Sequence, residues 1–250
     1  MFFPSVTDDS PNISTENPSG SYLDRPTFIM CNPNALLYQQ MVSSPNTYWL
    51  TFFLRRDINV FCWNYRSYGG SKKANRCCLG WCDRINPHNI KMDAECVLDF
   101  VVKKMQIKGK VGVYGRSLGG IASTHLAKNF PDKISALIVD RTFSNLETSS
   151  ERRLPGCATR ILYKFVSFNW NAKNDKCYIE APQCFKIATC DPLDEVVDCF
   201  SALPTGVASR LSKVKYDLPK WKKFYEGLCL IYEIEAFYHQ HNDRDIDYQF

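Results

Sequence analysis

The sequence predicts an α/β fold, a mostly parallel sheet with helices on both faces, and three observations carry that prediction. Strand-length runs such as "PTFIMC", "INVFCW", "KVGVYG" and "ISALIVD" are almost continuously apolar, which suits strands buried on both faces. Segments of helical period separate these runs, and parallel neighbours need such crossovers because a tight turn cannot join them. Finally, "VYGRSLGG" carries a strand straight into a helix through a glycine-rich turn, at the strand end where sheets of this class place ligands.

The elements follow in order. Residues 1–21 are rich in Ser, Pro, Asn and Asp and read as a flexible lead-in, which leaves residues 22–250 as one domain. "PTFIMCNPNA" is a buried strand running into a loop, and "LLYQQMVSS" suits a helix. "INVFCWNYRSYGGS" is a second strand that breaks into a Gly-Ser loop. Residues 93–105 are expected to form a helix with Val97, Phe100, Val101 and Met105 on one face. "KVGVYG" is the third strand, and "LGGIASTHLAKNF" a helix stopped by Pro131. "ISALIVD" is the fourth strand. The pattern loosens after Arg141, with a helical stretch over about 158–168, and "QCFKIATCD" resumes as a strand.

Composition narrows the function classes. With 45% hydrophobic and 23% charged residues the chain is neither disordered nor fibrous. A net charge of +5 without a concentrated basic face gives no footprint for nucleic acid. No apolar run approaches the ~20 residues of a membrane span, and the first residues carry no secretory signature. A cytoplasmic protein with reduced thiols is therefore expected despite 12 cysteines. Cys77, Cys78 and Cys82, with His88 beyond them, lack the paired spacing of zinc sites and read as loop cysteines, so no metal is expected.

Ser117 is the candidate nucleophile. Gly115 and Gly119 flank it at −2 and +2, where a strained strand-to-helix turn has no room for a Cβ. Such a turn lifts the hydroxyl clear of the sheet and aims the Leu118 amide at the same point, as an oxyanion donor. A serine hydroxyl is a poor nucleophile alone, so a histidine base and a carboxylate to orient it are needed. Four histidines exist. His125 lies within the helix behind the serine and His88 ahead of it in the chain, which leaves His239 and His241. Asp191 and Asp194 both follow the last strand, and Asp140 ends the one before it.

These motifs together resemble the α/β-hydrolase superfamily, in particular its small single-domain serine hydrolases, protein depalmitoylases among them. "YGRSLGG" is similar to their nucleophile elbow, and "CNPNA" stands where they carry a His-Gly-Asn-Ala loop. "DEVV" resembles their acid motif and "HND" their base motif. The resemblance implies a Ser117, Asp194, His241 triad in the chain order of that fold. It also implies a second oxyanion donor at Asn34 or Ala35. The implied activity is hydrolysis of an ester, thioester or amide in a small molecule or an acylated protein, with no cofactor.

The chain departs from that pattern in places. Asn32 and Pro33 replace His-Gly, and proline has no N–H to give. The fold looks shortened at both ends, so a bare first edge and self-association are expected. The lysines and aromatics of residues 211–228 make either a solvated helix face or a peripheral membrane contact. Residues 161–170 suit either a lid or core packing. These departures motivate the rival reading, a non-catalytic interaction protein on a hydrolase scaffold.

Overall fold

The computed structural model describes residues 1–3, 21–43, 48–71, 85–145, 170, 172–181, 184–191, 194, 196–199 and 201–212. The strands are β1 (Phe2–Phe3), β2 (Thr27–Cys31), β3 (Asn59–Cys62), β4 (Val111–Arg116), β5 (Ile134–Asp140) and β6 (Phe185–Thr189). They form one sheet in the order β1-β3-β2-β4-β5-β6. β3 to β6 with β2 are parallel, and β1 pairs antiparallel with β3. The parallel sheet expected from the sequence is present.

The helices are α1 (Tyr38–Val42), α2 (Tyr48–Leu54), α3 (Pro87–Asp99), α4 (Gly120–Asn129), α5 (Asn174–Ile179) and α6 (Leu203–Ser212). Strand order decides which face each one covers. The chain leaves β2 outward to β3, then reverses across β2 to β4, β5 and β6. Crossovers of one hand put helices of opposite travel on opposite faces. Accordingly Leu50 and Phe53 of α2 pack on Phe28, Met30, Val60 and Cys62. Ile90, Ala94 and Leu98 of α3 and Ile121 and Leu126 of α4 pack with Ile29, Phe61 and Val113 on the other side. Neighbouring residues of β2 alternate between the two cores, and all five are buried.

Several expectations are corrected. The buried stripe of α3 is Ile90, Ala94 and Leu98, continued by Val101, at the 4-4-3 spacing of an α-helix. Phe100 is 48% exposed, and Val97 only half-buried. The helix continues beyond Asp99 as a π-helical turn, Phe100–Lys104. The start is locally determined: the Asn86 side chain accepts from the Asn89 amide, and Pro87 occupies the first turn. α2 was not expected at all. Edge strand β6 differs from its buried neighbours, with Phe185 69% exposed and Ile187 also outward.

The lead-in is corrected at its start. Phe2 and Phe3 pair with Phe61 and Val60, and the Cys62 amide donates to the Met1 carbonyl at 2.8 Å. The β3 edge is therefore capped where a bare edge was expected. No helix among the described residues is long and apolar enough to cross a membrane.

Among the described residues, Cys31, Cys62, Cys96, Cys177, Cys184 and Cys190 are free thiols. Burial pushes the Cys31 and Cys62 thiols up to about 12, so almost no thiolate forms there at neutral pH. Brief alkylation of the native protein should mark exposed Cys96 and leave Cys31 and Cys62 unmodified by mass spectrometry. Equal labelling of all three would contradict this packing.

Candidate active site

The carboxyl end of β4 is the centre of the site. The chain reverses between β2 and β4, and the crevice outside the strand ends at such a switch point is where open α/β sheets bind ligands. β4 ends at Arg116, and Ser117–Gly119 form a 3-10 turn that leads into α4. Ser117 sits at φ 50°, in the left-handed region, which costs a residue with a Cβ about 1–2 kcal/mol.

The flanking glycines are required by contact. A Cβ on Gly115 would lie 2.2 Å from Ser123 Oγ and 2.5 Å from the Gly119 carbonyl oxygen. One on Gly119 would lie 2.0 Å from the Cys31 carbonyl oxygen. The turn is thus pressed against the end of β2, and the loop after β2 lies beside the serine. Gly119→Ala must displace backbone, an overpacking cost of about 1–3 kcal/mol. Thermal unfolding should show a clear loss of stability; a variant as stable as the native chain would refute this close approach.

The loop of residues 32–35 is held by side chains rather than by a glycine. Buried Asn32 donates through Nδ2 to the Trp63 carbonyl at 2.8 Å, and its own carbonyl accepts from the Tyr65 hydroxyl at 2.7 Å. The Tyr68 hydroxyl donates to Asn34 Oδ1 at 2.8 Å and accepts from the Ala35 amide at 3.2 Å. Ala35 is itself left-handed, at φ 58°. The Ala35 N–H is therefore engaged with Tyr68. Leu118 lies in the turn that starts α4, where amides have no partner within the helix.

The candidate acids separate clearly. Asp194 Oδ1 accepts from the Val196 and Val197 amides at 2.7 and 2.9 Å, and the Asp194 amide donates to the Asp191 carbonyl at 3.1 Å. One carboxylate oxygen is thus fixed by backbone at the strand-end side of the sheet. The Arg141 guanidinium is held charged chiefly by Asp140, with Asp194 also within electrostatic reach. Asp140 accepts from Tyr114 at 2.8 Å, Thr189 at 3.0 Å and Arg141 Nε at 3.1 Å. Burial would raise its carboxyl, but the Arg141, Tyr114 and Thr189 hydrogen bonds outweigh this and hold it below the usual range. With its oxygens so occupied, Asp140 organises a cluster rather than orienting a base.

The histidines divide in the same way. His125 Nε2 lies 2.6 Å from Glu95 Oε1, and Nδ1 lies 3.0 Å from Asn129 Nδ2. Nε2 thus faces α3 and Nδ1 the last turn of α4, so both ring nitrogens are engaged. His88 lies in the first turn of α3. His239 and His241, and Cys77, Cys78 and Cys82, lie outside the described residues, as do residues 158–168 and 213–228. Among the described residues no group of three His, Cys, Asp or Glu side chains could hold a metal ion. Sequence reasoning missed the roles of Tyr68 and Arg141; only their positions across strand ends reveal them.

A family model described as alpha/beta hydrolase fold matches residues 43–168, half of the chain. The chain is 38% identical to the alpha/beta hydrolase domain-containing protein WAV2 of Arabidopsis thaliana over 89 residues, which is 35% of this chain and 26% of that protein. It is 26% identical to protein bem46 of Schizosaccharomyces pombe over 125 residues, 50% of this chain and 38% of that one. The chain thus spans about a quarter to two-fifths of the length of these relatives. The Pyrococcus furiosus esterase Pf2001 superposes with a TM-score of 0.53 at 16% identity, over 76% of this chain and 70% of that one, a likeness of fold. A family match over half the chain, on a sheet that superposes on an esterase's, leaves one assignment: this chain belongs to the alpha/beta hydrolase fold family.

Proposed function

We propose that the chain is a serine hydrolase cleaving an ester, thioester or amide bond through an acyl-enzyme. The observation that carries this is Ser117, left-handed at φ 50° between two glycines that contact leaves no room to replace, at the switch point of the sheet. Strain of this kind persists where the surrounding structure enforces it, and a half-buried serine at a strand end is its product here.

In this reading Ser117 Oγ attacks the acyl carbonyl while His241 takes its proton, and Asp194 orients the imidazole. Asp194 suits that role because its other oxygen is anchored by two backbone amides. The Leu118 N–H and the Asn34 N–H receive the oxyanion; Ala35, whose N–H meets Tyr68, serves by shaping the loop. The protonated imidazole then gives its proton to the leaving group, and water, activated by the same base, releases the acyl group. The substrate is a small acyl compound or an acylated protein, no cofactor is needed, and the free buried thiols suit the reducing cytoplasm.

The second reading, a non-catalytic interaction protein, is favoured by Pro33 and by the engaged Ala35 amide, which together thin the oxyanion site. A fluorophosphonate probe separates the two, since labelling needs nucleophile, base and oxyanion donors at once. Stoichiometric labelling supports the hydrolase; no labelling of the folded protein supports its rival.

A further inference from the structure

A cavity of about 610 Å³, within the range of small-molecule sites, opens on the α1–α2 side of the sheet. Its walls are of two kinds. Met30, Leu36, Met41 and Trp49 form an apolar part, while Tyr114, Arg116, Asp140 and Arg141 form a polar wall at the ends of β4 and β5. Pro33, in the loop beside the serine turn, also lines it, and Arg116 immediately precedes Ser117.

The polar wall carries more hydrogen-bond donors than its carboxylate can accept from. Arg141 bonds Asp140 through Nε at 3.1 Å and Nη2 at 3.2 Å, and Arg116 Nε stands 3.6 Å from the same carboxylate. At the wall itself two guanidiniums share the Asp140 carboxylate, with the Asp194 carboxylate farther off but within electrostatic reach of Arg141. Each guanidinium is a fork of five donors, and Asp140, which also accepts from Tyr114 and Thr189, cannot satisfy both. Among the described residues nothing else bonds the Arg116 side chain or Arg141 Nη1.

The backbone around this wall is unusual in the same place. Ala35, Ser117 and Arg141 follow three adjacent strands, β2, β4 and β5, and all three are left-handed, Arg141 at φ 46°. The Arg141 amide is fixed to the Thr189 carbonyl at 3.0 Å.

We propose that Arg116 and Arg141 form an anion subsite, and that the cavity accepts an amphiphilic monoanion: an apolar chain against Met30, Met41 and Trp49, and a carboxylate on the two guanidiniums. Planar guanidiniums pair bidentately with carboxylates, and with Asp140 and Asp194 already acting on Arg141 the wall suits one further negative charge rather than two. The proposal rests on the hydrolase reading in so far as this anion belongs to the substrate that Ser117 attacks; the binding itself does not.

The test titrates the whole chain with decanoate, decyl phosphate and decanol below their micellar concentrations, following tryptophan fluorescence, with Trp49→Phe identifying the reporter. Decanoate should bind about tenfold tighter than decanol at low salt. Arg116→Gln and Arg141→Gln should each remove most of that preference, and Arg116→Lys should restore part of it. Because Arg141 also holds Asp140, Arg116→Gln alone carries the test if Arg141→Gln does not fold. Equal binding of decanoate and decanol, or an unchanged preference in Arg116→Gln, overturns the subsite. Tighter binding of decyl phosphate than decanoate overturns its monoanion character. Activity on p-nitrophenyl butyrate and p-nitrophenyl hemiglutarate separates the two claims. If both esters turn over with equal KM, the subsite fails and the hydrolase stands. If neither turns over while decanoate still outbinds decanol, the hydrolase reading fails and the subsite stands.

Discussion

Ser117→Ala should abolish fluorophosphonate labelling and lower esterase turnover by a factor on the order of 10⁴ or more, the loss seen when a nucleophile is removed from a working triad. The fold should persist. Alanine keeps the Cβ and the same φ of 50°, so the turn carries the same strain and the same glycine contacts before and after the change. Only one oxygen is lost, and a stability change within about 1 kcal/mol is expected. Denaturant unfolding beside the activity assay separates the two effects. A variant that kept its labelling would mean that another side chain reacts, and the assignment of Ser117 would fall.

His241→Ala should cost on the order of 10⁴ or more in kcat/KM, because without a base the hydroxyl stays protonated and the leaving group departs without a proton. His239→Ala should cost far less. The base must be neutral to accept the serine proton, so native activity should rise with pH through the titration of one imidazole and then level. Asp194→Asn should leave the Val196 and Val197 amides bonded through its remaining carbonyl oxygen yet slow turnover, since a neutral amide no longer stabilises the imidazolium. If His239→Ala proved the damaging change, the assignment of the base by the "HND" motif would be reversed. If neither variant lost activity, the non-catalytic reading would take the place of the triad.

Much of the scaffold was legible in the sequence because its signals are local. Four nearly continuous apolar runs gave β2, β3, β4 and β5, since a strand buried on both faces leaves no polar alternation. Pro131 marked the end of α4, whereas the start of α3 at Pro87 lies six residues ahead of the expected 93. The Gly115, Ser117 and Gly119 spacing pointed to the strained turn found at φ 50°. α2 escaped because, among the described side chains of residues 49–54, the buried Leu50 and Phe53 stand among other apolar residues and no clear period marks them. The face of α3 was misassigned at Val97 and Phe100 because these apolar residues adjoin Leu98 and Val101 of the buried stripe in the chain, which leaves the apolar face ambiguous.

The sequence by itself determined the fold class, the turn that holds Ser117 and the chain order of the proposed triad, because each is a matter of short spacing along one strand or one junction. Only the tertiary structure decided what residues far apart in the chain do together. The two-residue β1 caps β3 because parallel order leaves that edge open, and no local signal in "MFF" announces it. The Ala35 amide is taken by Tyr68, 33 residues away, because β2 and β3 end side by side. Asp140 binds Thr189 from 49 residues away and gathers Arg116, Arg141 and Tyr114, because β4, β5 and β6 stop at one level. Such contacts follow from strand register, which the sheet sets as a whole and no single segment encodes.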